Sequence, residues 1–157
     1  MTFNYRNFLN TIFICLLFAG IGIILSGDFA GWFAGLNHPW YSLPIFVWNI
    51  VEILFYLIIA VILYRLFNKK EETFPKKAII ALTIAVIFYN EIWNYVLVGA
   101  ENMMIGFIGL VPYLGMVGLL YYNFLKHDRV NAWILTPYLI WLVYDVILTF
   151  GLWTMNS

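Results

Sequence analysis

The sequence has little charge. Only 10% of its 157 residues are Asp, Glu, Lys or Arg, and eight basic residues balance eight acidic ones. Soluble domains carry about 25% charged residues and are about 45–50% apolar, whereas 64% of this chain is hydrophobic. The composition therefore indicates a membrane protein with little mass outside the bilayer. Zero net charge and the lack of a phosphate-binding basic cluster argue against a nucleic-acid partner.

Cysteine is also scarce. The single cysteine, Cys15, lies in an apolar run, which excludes an internal disulfide and a cysteine-ligated zinc site. We expect it to be a buried small hydrophobe. The sequence contains no nucleophile–base pair, no phosphate-binding loop and no HExxH motif. It therefore predicts no catalytic residue, no metal ligand set and no required cofactor, and an enzyme is not the favoured reading.

What the chain does have is long apolar runs. Five are long enough to cross a bilayer, which takes about 20 residues. Backbone polar groups in hydrocarbon must be satisfied within their own segment, so these runs are helices. No linker, repeat or low-complexity tract divides residues 1–157, which predicts a single domain. The prediction is an all-α, integral membrane five-helix bundle with spans at about 8–26, 44–66, 78–98, 103–124 and 131–154.

The basic residues predict the orientation of the bundle. They occur only at the N-terminus and in the second and fourth loops: Arg6, Arg65, Lys69, Lys70, Lys76, Lys77, Lys126 and Arg129. By the positive-inside rule, the N-terminus is cytosolic and the C-terminus lies outside, as in a bacterial plasma membrane. Glu71 and Glu72 are expected in a solvated turn of the second loop.

Three carboxylates interrupt the spans: Glu52, Glu91 and Asp145. At about 1.5 Å per residue, each lies roughly 10–13 Å from the outer end of its span. An acid at the centre of a membrane helix costs about 2.5–3.5 kcal/mol on the lenient scale, so all three are expected to face inward. Aromatic or amide side chains accompany each at helical spacing, among them Trp48, Tyr56, Asn90, Asn94, Tyr138 and Trp141. The pattern predicts an aromatic-walled, acidic cavity beneath the 27–43 loop.

Two other readings of these acids stay open. Neutral carboxylic acids hydrogen-bonded to Tyr, Asn and Trp would serve as contacts between helices. Alternatively, the three acids with His38 would make an oxygen-rich set suited to Mn, Fe or Mg, although the Glu-x-x-His pairs of di-iron bundles are absent. Four glycines in the spans are expected to serve helix packing, namely Gly20, Gly22, Gly106 and Gly109.

Several motifs occur in order along most of the chain. The first loop contains Trp32-Phe33, Leu36-Asn37-His38-Pro39 and Tyr41-Ser42-Leu43-Pro44; Tyr56 lies in the second span; the third contains Asn90 and Trp93; the last contains Pro137-Tyr138-Leu139-Ile140-Trp141 and Trp153 to Asn156. In sequence and spacing these motifs resemble those of the TspO/MBR family, the tryptophan-rich sensory proteins that include the mitochondrial translocator protein (peripheral benzodiazepine receptor).

The resemblance implies a five-helix membrane bundle, commonly a homodimer. It also implies a cavity under the first loop for porphyrins, sterols or isoquinoline- and benzodiazepine-like compounds. At the matching positions, the cavity wall would include Trp32, Pro39, Pro44, Asn90, Tyr138, Trp141 and the residues at 52 and 145. This chain departs from the family by having acid at three positions: Glu52 replaces a tryptophan, Glu91 stands where Gln is frequent, and Asp145 replaces an alanine.

The expected function is a membrane receptor or carrier for a small amphipathic aromatic ligand, either tetrapyrrole-like or cationic. The partners expected are this ligand, membrane lipid and a second copy of the chain. The alternatives are a proton- or cation-coupled transporter that uses the three acids, and a metal-dependent membrane enzyme. The predicted ligand-binding residues are Trp32, Pro39, Pro44, Trp48, Glu52, Asn90, Glu91, Tyr138, Trp141 and Asp145.

Overall fold

The computed structural model describes residues 3–25, 27–69 and 75–157. These contain six helices and no strand: α1 (Tyr5–Leu25), α2 (Phe29–Ala34), α3 (Phe46–Asn68), α4 (Lys76–Ala100), α5 (Met103–His127) and α6 (Arg129–Met155). All except α2 are long and apolar enough to cross a membrane. The predicted all-α five-helix membrane bundle is therefore confirmed. The turn expected at Glu71 and Glu72 lies outside the described residues.

The predicted spans and the observed helices differ mainly at their ends. Helices α1, α4 and α5 continue a few residues into their polar flanks, because a helix is not limited to the apolar part of its sequence. Side-chain caps mark the starts of α5 and α6. The Asn102 carboxamide oxygen accepts from the backbone N–H of Met104 at 2.9 Å, and the Asp128 carboxylate accepts from that of Asn131 at 3.3 Å. The short helix α2, inside the first loop, was not predicted.

The long helices pack in the spatial order α1, α3, α6, α5, α4, and α4 contacts α1 again. Helices α5 and α6 make the most extensive contact and are deeply buried along one face. Helix α1 is attached much more loosely, since among its described residues only Thr11 and Cys15 are buried. The bundle therefore has a tightly packed side around α5 and α6 and a loose side around α1.

Polar contacts hold the basic end of the bundle together. The Asp128 carboxylate lies 3.4 Å from Arg65 Nη2 and 3.5 Å from Lys69 Nζ. Arg65 Nε also donates to Asn131 Oδ1 at 2.6 Å. These bonds join the end of α3 to the turn between α5 and α6. Because Asp128 also caps α6, one side chain links the end of α3 to the start of α6.

Glycines in α5 allow α4 to approach closely. A Cβ at Gly109 would lie 2.7 Å from Trp93 Cδ1, and one at Gly106 would lie 2.6 Å from Leu97 Cδ1. Trp93 Nε1 donates to the Gly106 carbonyl at 2.9 Å, and Tyr89 donates to the Gly109 carbonyl at 2.9 Å. The packing role predicted for Gly106 and Gly109 is confirmed. Gly20, in contrast, has no atom within 4 Å of an added Cβ.

Two alanine substitutions in α5 should therefore differ in their effect on stability. Gly109→Ala should lower the thermal unfolding midpoint in detergent, because overpacking against Trp93 costs about 1–3 kcal/mol. Gly115→Ala should leave it unchanged or raise it, because an added Cβ there meets nothing within 4 Å and alanine is favoured over glycine in a helix by about 0.5–1 kcal/mol. Equal midpoints for the two variants would contradict the close α4–α5 contact.

Candidate functional site

A cavity of about 610 Å³ lies between α1, α3 and α4. This volume falls within the range of about 300–1,000 Å³ that is usual for small-molecule sites. Most of its wall is aliphatic or aromatic; the lining residues are Ile12, Cys15, Leu16, Ala19, Gly22, Ile23, Phe29, Trp48, Asn49, Glu52, Ile53, Tyr56, Leu57, Ala60, Glu91, Trp93, Asn94 and Val98. A few polar side chains are thus set into an apolar surface.

The exposure of the lining residues shows where the cavity opens. Leu16 of α1 and Ile53 and Leu57 of α3 line it and are also exposed. On α4, in contrast, Glu91 and Trp93 are buried, with 2% and 8% exposed. The opening therefore lies between α1 and α3, on the surface that faces lipid, and α4 forms the floor.

The polar centre of the cavity is built around the Asn90 side chain. Asn90 Nδ2 donates to Glu91 Oε1 at 3.1 Å and to Glu52 Oε1 at 3.4 Å. Tyr56 donates a second bond to Glu91 Oε1 at 2.6 Å. One amide therefore brings together the acids of α3 and α4. Two predicted acids, Glu52 and Glu91, meet at the cavity.

The hydrogen bonds continue away from the cavity into the tightly packed side of the bundle. The Tyr138 hydroxyl donates to Asn90 Oδ1 at 3.4 Å, and it lies 2.9 Å from the Tyr113 hydroxyl. Tyr113 and Tyr138 are both buried. A connected polar chain thus runs from Glu52 and Glu91 through α4 to α6 and α5.

The second oxygen of Glu91 is different. Glu91 Oε2 is buried and has no hydrogen-bond partner in the part of the chain that the structure describes. It lies against the backbone of α1 at Gly22, where an added Cβ would overlap it. A buried acceptor without a donor costs about 1–3 kcal/mol. A role in contacts between helices therefore accounts for Oε1 of this carboxylate, which accepts hydrogen bonds, and does not account for Oε2.

Aromatic rings close the end of the cavity that lies next to α2. The Trp48 ring lies 6.1 Å from Phe29, 5.7 Å from Phe33 and 5.4 Å from Trp141, measured between centroids. Phe29 and Trp48 both line the cavity. The first loop, through α2, thus sits over this end of the cavity.

Seven of the ten predicted site residues do not line the cavity. Asn90 and Tyr138 connect to it by hydrogen bonds, and Trp141 through the Trp48 ring. The other four that do not line the cavity are Trp32, Pro39, Pro44 and Asp145. Asp145 is 4% exposed, and its Oδ1 accepts a hydrogen bond from Thr149 Oγ1 at 3.5 Å. The physical reason is that Asp145 lies on α6, and α6 packs on α3 away from α1.

Two amides were not among the predicted site residues. Asn49 and Asn94 line the cavity, and each is three residues from a cavity acid. That spacing puts each on the same helix face as its acid, so the signal was present in the sequence. The aliphatic residues of α1 that line the cavity have no such spacing from an acid, so the sequence did not indicate them.

The geometry does not assemble the hypothetical metal ligand set. Within the described ranges no group of three or more His, Cys, Asp and Glu side chains is placed to hold a metal ion. His38, the fourth member proposed, is within hydrogen-bonding distance of the Phe33 carbonyl at 3.0 Å and of Ser42 Oγ at 3.3 Å. It packs on the Phe33 ring in the first loop.

The fold defines a multi-pass helical membrane protein with a cavity between its spans. The model of the TspO/MBR family matches residues 11–154, and the chain belongs to this family. It is also similar to the tryptophan-rich protein TspO of Archaeoglobus fulgidus, with 24% identity over 155 residues that cover 92% of this chain and 99% of that protein. The predicted family is confirmed. Membership implies a receptor- or transporter-like role in the membrane.

The contact between Gly22 and Glu91 can be tested with a matched pair in α1. Gly22→Ala should lower the thermal unfolding midpoint, because Glu91 is held by Tyr56 and Asn90 and cannot easily yield to the new methyl group. Gly20→Ala is the control, since an added Cβ there meets nothing within 4 Å. Indistinguishable midpoints for the two variants would show that Glu91 does not press on α1.

Proposed function

We propose that this chain is a membrane receptor or carrier that binds a small amphipathic aromatic ligand in the cavity between α1, α3 and α4. The observation that carries the proposal is the pair Glu52 and Glu91, which Asn90 bridges within an apolar wall. The favoured ligands are cationic aromatic compounds, with tetrapyrroles as a second class. The site itself requires no cofactor.

The charge preference follows from what surrounds the acids. None of the described residues that line the cavity is basic. A buried carboxylate is stable only with a partner, and a ligand cation supplies one. The rings of Trp48, Trp93 and Phe29 in the same wall favour a cation further. Charge pairing therefore falls to Glu52 with Glu91, and Asp145 acts only as a buried group of α6.

The access route and orientation complete the proposal. The ligand enters from the lipid between α1 and α3, and α2 with the following residues to 44 acts as a cover. The basic end, with Arg65 and Lys69, faces the cytosol of a bacterial-type plasma membrane, as the positive-inside rule directs. The family resemblance adds a homodimer as the expected assembly.

Replacing Glu52 tests the proposal directly. Glu52→Gln should weaken binding of phenylbutylamine by about 10- to 100-fold, the size of a charge-assisted hydrogen bond, and should leave the neutral analogue phenylbutanol little changed. The measurement is a titration followed by tryptophan fluorescence in lipid nanodiscs. Asp145→Asn is the matched control, because it makes the same chemical change outside the cavity and should bind the amine like the wild type. An unchanged amine affinity in Glu52→Gln would refute the charge pairing.

A second candidate is a proton- or cation-coupled transporter. It is favoured by the hydrogen-bonded chain from Glu52 through Asn90 and Tyr138 to Tyr113, since acids within the membrane frequently serve as relays. In this case the bound amine would also cross the membrane.

Transport can be separated from binding in proteoliposomes. A coupled transporter should accumulate phenylbutylamine against its gradient, and a protonophore should abolish this accumulation. Tyr138→Phe removes one hydroxyl from this series of hydrogen bonds, so it should slow uptake of the amine severalfold without weakening its binding. Uptake that a protonophore does not affect would contradict proton coupling and leave the receptor or carrier reading.

A further inference from the structure

The cavity contains two side-chain amides that take no part in the described hydrogen bonds of the bundle or in the proposed binding of a cation. Asn49 of α3 and Asn94 of α4 both line it. Neither side chain has a hydrogen bond to another described residue. Asn94 is partly buried, whereas Asn49 is exposed at the opening. The neighbouring Asn90, in contrast, donates to both acids.

The two amides lie on the same side of the acids. Asn49 precedes Glu52 by three residues, and Asn94 follows Glu91 by three. Helices α3 and α4 run in opposite directions across the membrane, so both displacements point towards the same end, the one where α3 begins and α4 ends. Three residues of helix correspond to about 4.5 Å. The cavity thus has an acid level and, about one turn further out, an amide level.

An amide facing an apolar cavity has lost its water partners, which is costly unless a partner replaces them. A carboxamide both donates and accepts hydrogen bonds. Its natural complement is therefore a neutral polar group, such as a carbonyl, an amide or a hydroxyl. The acid level is complemented by a protonated amine.

We propose that Asn49 and Asn94 form a second polar subsite. The preferred ligand is then an alkylamine that carries an aromatic ring and has a carbonyl, amide or hydroxyl group about 4–5 Å from its cationic nitrogen. This inference rests on the proposed function, because it assumes that Glu52 and Glu91 hold the amine. It makes Asn49 and Asn94 specificity-determining residues that select among amines.

A pair of probes isolates the amide level. In β-alanine anilide a carbonyl and an N–H stand between the amine and the phenyl ring; in phenylbutylamine two methylenes replace them. Wild-type protein in nanodiscs should bind the anilide about 5- to 10-fold more tightly, the size of one or two neutral hydrogen bonds. The double variant Asn49→Leu/Asn94→Leu should lose this preference through weaker anilide binding, with phenylbutylamine affinity unchanged.

The controls keep the subsite and the proposed function apart. Asn123→Leu makes the same change on α5, where the Asn123 amide donates to the Leu119 carbonyl away from the cavity, and it should keep the preference. The single variant Asn49→Leu, at the exposed opening, should lose part of it even where the double variant unfolds. The subsite proposal is wrong if the wild type does not prefer β-alanine anilide to phenylbutylamine. It is also wrong if Asn49→Leu keeps the full preference. The proposed function fails separately, when Glu52→Gln binds phenylbutylamine as tightly as the wild type does.

Discussion

The Asn90 side chain is the group on which the interior of this bundle depends. It donates to Glu52 of α3 and to Glu91 of its own helix, and it accepts from Tyr138 of α6. In hydrocarbon no water replaces a lost partner, so these bonds hold three helices in one register. Two acids that would each be costly in lipid are tolerated in the bundle because one buried amide, with Tyr56, provides them with donors.

This network divides the bundle into two unlike sides. Towards α5 and α6 it ends in Tyr113 and Tyr138, within a core that is almost fully buried. Towards α1 it ends in an oxygen of Glu91 that has no hydrogen-bond partner among the described residues, and in an open cavity. A rigid side thus positions the polar groups, and a loosely attached helix leaves room beside them. Binding sites generally need this combination of a fixed polar set and accessible apolar surface.

Much of this arrangement could be predicted. The five spans follow from run length, and the inward direction of Glu52 and Glu91 follows from the cost of charge in lipid. The motifs around Trp32 and Tyr138 indicated the family, which the family model confirms. The placement of Asp145 outside the cavity could not be predicted in this way. Counting residues gives its depth in the span, and the cost of a charge in lipid predicts that it is buried. Neither criterion tells which neighbouring helix a buried side chain faces.

The sequence by itself therefore determined the five membrane-spanning helices and the position of each acid along its helix, because these depend on length and transfer free energy along one segment. It also determined the family, because the motifs can be recognised along the chain. Only the tertiary structure decided that the cavity lies between α1, α3 and α4, and that Asp145 stands apart from it. The physical reason is that the rotation of each helix and its choice of neighbours come from side-chain packing between segments. Small contacts decide that packing, such as Gly22 against Glu91 and Gly109 against Trp93.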